Sequence, residues 1–506
     1  MTQPLELPNL IMYFAITGAI LSAIFYFLKW HKSLWMTFLQ NFCGVWFIFS
    51  GFVKAVDPIG TQYKMEQYFA EFETTFAGSG MKFLAPMFPV LAKYALAFSI
   101  VTIILEIVLG VMLIAGVRKK LTAWLFFLLI LFFTILTGFT YLTGYVPSGV
   151  NFFDFAKWGP YVKTNMKVTD CGCFGDFILL EPKVSFYKDC FLMIPALLFV
   201  FFTSKMHTLI NRKFRFALTA FATGLTLLFC VKNTYWDLPV IDFRPFRIGT
   251  NIPERKKIES ESEAQVKIIG YVMENEKTGE KKRLDITDGS TAAKFYMDVI
   301  YPTYKKEDGW KVSDQIKTEP SVRHTKISEF KINDVTENES EVTEDILTNP
   351  EYSFMIISYK LKHDKVTEKS IMVYDTLHLV DTVMMGRRVA LLQKDSVVTK
   401  EVPVVTVDWD KEFLATYKDK IGAFANAALK NGNKVCAITH DSPIVIREFA
   451  KTLEAKYPFY QADDILLKTI IRSNPGVVLL KNGVVVDMWH INKLPSFEEA
   501  KAKSMK

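Results

Sequence analysis

Charge is scarce in this chain: of 506 residues, half are hydrophobic and only 22% are charged. That is too apolar for an ordinary soluble enzyme of this size. Histidine and cysteine are scarce too, at seven and six residues. No histidines stand at ligand spacing, and only His31 and His207 fall within residues 1–231. The sequence therefore offers no visible ligands for haem or a metal centre. No long block of like charge is present, which argues against a charged disordered tail. The net charge of +7 belongs wholly to residues 1–231, with 18 Lys+Arg against 11 Asp+Glu. Residues 232–506 hold 42 of each sign, so no basic nucleic-acid-binding domain is expected there.

What is present in the first part is long apolar runs. Six stretches, at about 9–28, 35–53, 88–116, 121–144, 187–204 and 216–231, approach the roughly 20 residues needed to cross a bilayer. The first has no basic residue before it and is too long for a signal peptide, so it reads as a span. The connections after spans one, three and five carry Lys29, Lys32, Arg118, Lys119, Lys120, Lys205, Arg212, Lys213 and Arg215, with no acidic residue. By the positive-inside rule those connections face the cytoplasm. The expected location is a bacterial inner membrane, with the bilayer as the first partner. Both termini and residues 232–506 are then periplasmic.

On that layout four cysteines gather at the outer face. Cys171 and Cys173 lie in the loop Asp170-Cys171-Gly172-Cys173-Phe174-Gly175, Cys190 opens span five, and Cys230 closes span six. Disulfides persist on that side of a membrane. One reading is a thiol relay that passes electrons to a membrane quinone; the other is one or two structural staples. A ring closed between cysteines one apart is strained, which favours exchange. Cys43 and Cys436 read as small buried hydrophobes. If the relay holds, Cys171 or Cys173 is expected within about 7 Å, Cα to Cα, of Cys190 or Cys230.

The stretch Phe47-Ile48-Phe49-Ser50-Gly51-Phe52-Val53-Lys54-Ala55-Val56-Asp57-Pro58 resembles the first-helix signature of the DoxX family of four-helix membrane proteins. The run Cys171-Gly172-Cys173-Phe174-Gly175 resembles the related MauE family. Together they cover about residues 35–205. The DoxX name derives from a thiosulfate:quinone oxidoreductase subunit, and MauE is linked to maturation of a disulfide-rich periplasmic enzyme. The resemblance thus implies quinone-linked or thiol redox chemistry at the outer face.

Glu106 is the one ionisable group that the runs place well inside a span. An intramembrane carboxylate is a functional candidate by default, here as a proton carrier or a contact to a quinone headgroup. The plainer alternative is a hydrogen bond to a Thr, Ser or Tyr on span two or four. Segment 54–87 interleaves charged residues with Tyr63, Tyr68, Phe69, Phe72 and Phe76, which suits an amphipathic helix at the outer interface.

Residues 232–263 read as a linker with an extended, proline-bearing start, and 264–350 as a small β-rich unit. From 351 a buried strand, a helix over 410–430, a second buried strand and a helix starting at Ser442-Pro443 follow. Asn482-Gly483 between two apolar runs predicts a hairpin. This order, with Pro475 just before the hairpin, resembles the thioredoxin fold over 351–506, with an insertion at about 365–408. In that family the proline is cis, so Asn474–Pro475 is expected to be cis. The chain departs from the family where Cys-x-x-Cys belongs, reading Ser358-Tyr359-Lys360-Leu361-Lys362-His363-Asp364. No reductase activity is expected of this domain, but Pro475 would border an edge able to bind an extended peptide.

The expected fold is thus an α-helical bundle of six spans with a DoxX-like four-helix core, joined to an extracytoplasmic α+β or α/β thioredoxin-like domain. Two functions compete. One is membrane thiol or quinone redox through Cys171, Cys173, Cys190, Cys230 and Glu106. The other is a non-enzymatic scaffold, within a membrane complex, that recruits a periplasmic protein. A transporter is a weaker third, since no broken helices or repeated halves are visible.

Overall fold

The computed structural model describes residues 6–505 apart from 148, 160, 169–171, 210, 287–289, 319, 336–339 and 386–387, and over most of 368–404 the backbone alone. Two compact units are present. One joins 1–244 to 261–323, and the other joins 245–260 to 324–506.

In the first unit the apolar runs become helices. They are α1 (Leu7–Phe27), α2 (Leu34–Val56), α3 (Pro58–Ala77), α4 (Met87–Lys93), α5 (Ala95–Ala115), α6 (Lys119–Thr143), α7 (Pro182–Phe201) and α8 (Arg212–Val231). Six of them, all but α3 and α4, are long and apolar enough to cross a membrane. Their outward faces carry Ile16, Ile20, Ile24, Val101, Leu128, Ile135, Phe191, Ile194, Phe221 and Leu228, all exposed. Water would not tolerate so continuous an apolar surface, whereas lipid does.

The most enclosed of the spans is α2, which packs against α1 and α5. Glycines set the approach to α5. A Cβ at Gly110 would stand 2.6 Å from the Gly44 carbonyl oxygen, and one at Gly51 would stand 2.6 Å from Ile107 Cγ1. Small residues let helix backbones close to this distance, which brings the polar side chains of α2 onto α5.

Three boundaries depart from the apolar runs. The second span continues past Val53 to Val56 because Lys54 finds a buried partner. The stretch before Ala95 forms a separate short helix, α4, so α5 starts later than expected. Span five begins at Pro182, whose missing N–H suits a first helical turn. Cys190 therefore sits well inside α7 and not at its start. The amphipathic reading of 54–87 agrees with α3, whose Met65, Tyr68 and Phe69 pack on Phe88 and Leu136.

Within the stretch expected to be a linker, the polar run forms a helix, α9 (Ile252–Ala264). Glu, Lys and Arg are good helix formers, and Pro253 stands in the first turn where proline is tolerated. Glu259 fixes part of it, accepting hydrogen bonds from Arg255 Nε, Thr325 N, Thr325 Oγ1 and Ser328 Oγ. Strands β1 (Ile268–Asn275), β2 (Lys281–Asp285) and β3 (Trp310–Lys317) make an antiparallel sheet in the order β2-β1-β3. Tyr271 and Met273 of β1 pack there with Phe295 and Ile300.

The second unit is built on β4 (Ile332–Asp334), β5 (Tyr352–Ser358), β6 (His363–Met385), β7 (Arg388–Trp409), β8 (Lys434–Thr439), β9 (Phe459–Ala462), β10 (Gly476–Lys481) and β11 (Val484–His490). Six of these strands form one sheet in the order β11-β10-β5-β8-β9-β4, with β5, β8 and β9 parallel. The expected hairpin joins β10 to β11 at the sheet edge, and Asn482 and Gly483 both have positive φ, at 49° and 71°. Both central residues of a type I′ turn need that conformation. The Asn474–Pro475 bond is cis, as expected. Ser442 stands at the N-cap of the helix Pro443–Thr452, but its side chain makes no capping hydrogen bond. The stretch read as an insertion is a two-stranded ribbon, β6 paired with β7.

Candidate functional site

The middle of the helical bundle holds charge. Glu106 stands half-way along α5 and is 1% exposed. Its Oε1 accepts from Lys54 Nζ at 2.5 Å, and its Oε2 accepts from Ser50 Oγ at 3.0 Å. Ser50 and Lys54 are four apart on α2 and so share one face. The Lys54 ammonium also lies 4.9 Å from the Phe133 ring centroid. Neither charge could remain buried without the other, because desolvating a lone ion costs several kcal/mol.

A second pair lies on α7. The Lys188 ammonium donates to Asp189 Oδ1, and Thr137 of α6 donates to Asp189 Oδ2 at 3.0 Å. Both side chains are buried, at 8% and 1% exposed. One turn along α6, Thr140 Oγ1 donates to Tyr68 OH of α3 at 3.0 Å.

Both pairs line one cavity of about 40 Å³, together with Ser50, Tyr68, Thr137, Gly172 and Cys173. The stretch from Gly172 to Phe177 is held there by its backbone and its aromatic side chains. Ser50 Oγ lies 3.1 Å from the Cys173 carbonyl oxygen. Phe174 is fully buried, and it and Phe177 pack on Phe49 of α2. Gly172 has a φ of 59°, and a Cβ there would stand 3.1 Å from Lys64 Cγ. Glycine at this position thus lets the loop turn close over the cavity. Burial pushes the Cys173 thiol up; Lys188 pulls it down, Asp189 raises it, and Lys54 and the Ser185 hydroxyl lower it. The residue as a whole is half-buried.

The structure joins two of the expected site residues, Glu106 and Cys173, at this cavity. Cys171 lies outside the described residues. Cys190 is partly exposed on α7 beside Asp189, and Cys230 packs against Ala55 and Ile103. Neither lines the cavity. Among the described residues Cys43, Cys173, Cys190, Cys230 and Cys436 are free thiols. Pro475, in the second unit, precedes β10; beside it Asn474 Nδ2 donates to the Lys360 carbonyl at 2.9 Å. Ser358, at the end of β5, meets Tyr417 OH at 2.6 Å.

Three site residues escaped the sequence reading: Lys54, Lys188 and Asp189. Lys54 falls just past the apolar run 35–53, and Lys188-Asp189 stand at the edge of the run 187–204. The available signal was positional: Lys54 stands four residues after Ser50, and Asp189 four after Ser185, each at helix spacing.

A cavity of about 40 Å³ holds a few waters at most. Small-molecule sites span roughly 300–1,000 Å³, so a quinone ring does not fit among these residues as they are arranged. No group of three or more His, Cys, Asp or Glu is placed to hold a metal ion among the described residues. The chemistry these side chains can supply is acid–base: two carboxylates and three ammoniums, Lys64 being the third, line the cavity with a thiol.

Residues 32–148 match the family model of the methylamine utilisation protein MauE. No curated protein and no solved structure matches the chain. The matched segment runs from before α2 to beyond α6, so it contains Ser50, Lys54, Tyr68, Glu106 and Thr137. It ends before Cys173, Lys188 and Asp189, short of the Cys-Gly-Cys motif. With its six apolar helices, the chain is a membrane protein that resembles MauE over those residues.

Proposed function

We propose that this protein exchanges thiols and disulfides with an extracytoplasmic protein through Cys171 and Cys173. In one exchange the two loop thiols become a disulfide while a disulfide of the partner becomes two thiols; a thiol partner reverses the same exchange. The observation that carries the reading is the joint lining of one bundle cavity by Cys173 and two buried Lys–carboxylate pairs. A purely structural loop has no need of four buried charges beneath it. The MauE match over α2–α6 supports membrane redox chemistry. The DoxX-like stretch Phe47–Pro58 includes the end of α2, which supplies Ser50 and Lys54.

The second unit has a different part in this reading. The neighbours β8-β5-β10-β11, with parallel β5 and β8 and the antiparallel β10–β11 hairpin, support a thioredoxin-like fold. Its Cys436 is buried, which pushes the thiol up to about 12. Such a thiol is inert. The domain therefore recruits the partner, along the edge near Pro475, while the thiol chemistry belongs to the bundle loop.

The test is covalent trapping in living cells. Cys171→Ser leaves Cys173 without a resolving neighbour, and mixed disulfides with extracytoplasmic proteins are expected to accumulate. They should vanish in Cys171→Ser/Cys173→Ser. If no adduct forms on Cys173, the bundle is an anchor and the scaffold reading replaces this one.

A further inference from the structure

We infer that the end of the bundle carrying the basic connections binds the phosphate group of an anionic phospholipid between Lys32, Lys119 and Arg215. These residues take no part in the thiol chemistry, so the inference stands apart from that reading.

Three helix connections converge on His207, in the turn between α7 and α8. Its backbone N–H donates to Gln40 Oε1 of α2 at 2.8 Å, and its Nε2 lies 2.8 Å from the Ile114 carbonyl of α5. The Phe25 ring of α1 meets the imidazole edge-on, with centroids 5.0 Å apart. Leu209 N donates to the Ala115 carbonyl at 3.1 Å. A Cβ at Gly116 would collide with the His207 carbonyl, so only glycine lets the two turns close this far. The turns after α1, α5 and α7 are thereby locked together, and the basic residues beside them are brought to one place.

Those residues meet cation to cation. Lys119 Nζ donates to the Met206 carbonyl at 2.6 Å, and Arg215 Nη1 donates to the Gly116 carbonyl at 3.0 Å. The Lys32 ammonium stands beside that of Lys119, and Arg215 is close enough to act on it. Arg118 lies over the Phe216 ring, 5.2 Å from its centroid. No acidic residue occurs in 28–56, 107–153 or 190–236, the stretches that surround the three turns. Arg215 Nε is buried with no hydrogen-bond partner among the described residues. Like charges held close repel, and an unpaired buried donor is costly. One anion shared among these groups relieves both costs.

The helix ends make the same demand. Lys119 opens α6, and Arg212, Lys213 and Arg215 open α8, yet neither first turn holds an acidic residue. Cations are unfavourable at a helix N-terminus, where the dipole and the unpaired N–H groups favour an anion.

Position selects a lipid as the source of that anion. The helices α2, α6 and α8 are of membrane-spanning length, so their first turns lie at the depth of headgroups. The apolar neighbours of the basic residues are exposed: Leu34 after Lys32, Leu121 after Lys119, and Phe214 and Phe216 on either side of Arg215. A phosphodiester held by the cluster therefore has apolar surface beside it for its acyl chains. A soluble anion gains nothing from that surface.

The test is native mass spectrometry of the full chain in neutral detergent, with phosphatidylglycerol and phosphatidylcholine added in equal amounts. Both are diacyl phosphodiesters, and only the first carries a net charge. The wild type is expected to retain phosphatidylglycerol about tenfold over phosphatidylcholine, a preference that two basic residues can supply. Lys119→Gln/Arg215→Gln should bring the two lipids to parity. Lys93→Gln/Lys183→Gln, which removes the same charge where α5 and α7 begin, should leave the preference intact. Parity in the wild type overturns the proposal whether or not any variant folds, and so does an equal loss in the two double variants. Displacement of phosphatidylglycerol by millimolar inorganic phosphate would overturn the lipid assignment, since the cluster would then take its anion from solution.

Discussion

Lys54 of α2 and Glu106 of α5 meet at 2.5 Å inside the bundle, with side chains 7% and 2% exposed. Removing one partner strands the other as an uncompensated buried charge, at a cost of about 3–5 kcal/mol. Lys54→Met and Glu106→Gln are each expected to lower the thermal unfolding midpoint in detergent markedly. The double variant should recover much of the loss, because neither charge is left alone. Equal and additive losses from the two changes would show that the pair is not coupled.

The approach of α2 to α5 makes a ranked prediction. At Gly110 the first obstacle to a Cβ is a backbone oxygen, Gly44 O at 2.6 Å; at Gly51 it is the side chain of Ile107. A side chain can move aside and a helix backbone cannot without parting the helices. Gly110→Ala should therefore destabilise more than Gly51→Ala, within the roughly 1–3 kcal/mol usual for overpacking. Detergent melts of the two variants compare them directly, and the reverse order would contradict this packing.

Much of this architecture was legible in the chain, for reasons that differ by residue. Runs of about 20 apolar residues announce themselves, because lipid sets their length. Asn482-Gly483 announced its hairpin because few other pairs adopt two positive φ values. Lys54, Lys188 and Asp189 were not legible, because a hydropathy run stops at a charge and cannot see that a partner neutralises it, Glu106 of α5 for Lys54 and the adjacent residue of α7 for Lys188 and Asp189. The first pairing exists only once α2 meets α5, and the hydroxyl on Asp189 only once α6 meets α7. The polar run of α9 misled for the converse reason: Glu259 is buried by Thr325 and Ser328, which are distant in sequence.

His207 makes a pH-dependent contribution. It stands in the turn between α7 and α8, wholly buried, with its Nε2 at 2.8 Å from the Ile114 carbonyl and its Nδ1 unpartnered. Burial lowers its pKa to about 4, below the roughly 6.5 of an unfolded histidine. Above about pH 6.5 both states are neutral and the contribution is complete. Between that value and about 4 the unfolded chain gains a proton that the folded one refuses, so stability falls as the pH falls, by up to about 2 kcal/mol at pH 5. The unfolding midpoint of the wild type should drop from pH 7 to pH 5 by more than that of His207→Gln. Equal drops would mean that His207 does not titrate this way.

The proposed orientation rests on nine basic and no acidic residues in three connections. A reporter active only outside the cytoplasm should work when fused after Lys506 and fail when fused after Lys120. Protection of residues 232–506 from external protease in spheroplasts would reverse the layout and remove the outer-face chemistry with it.

The central claim is that Cys171 and Cys173 cycle between thiol and disulfide, and differential thiol labelling in growing cells addresses it directly. Cells would be quenched in acid before and at intervals after a brief reductant pulse, and the loop peptide assayed for both forms. The account predicts that both forms are present at steady state and that the reduced form produced by the pulse returns to the starting ratio. A loop that remains wholly thiol, or wholly disulfide and unresponsive to the pulse, would contradict it.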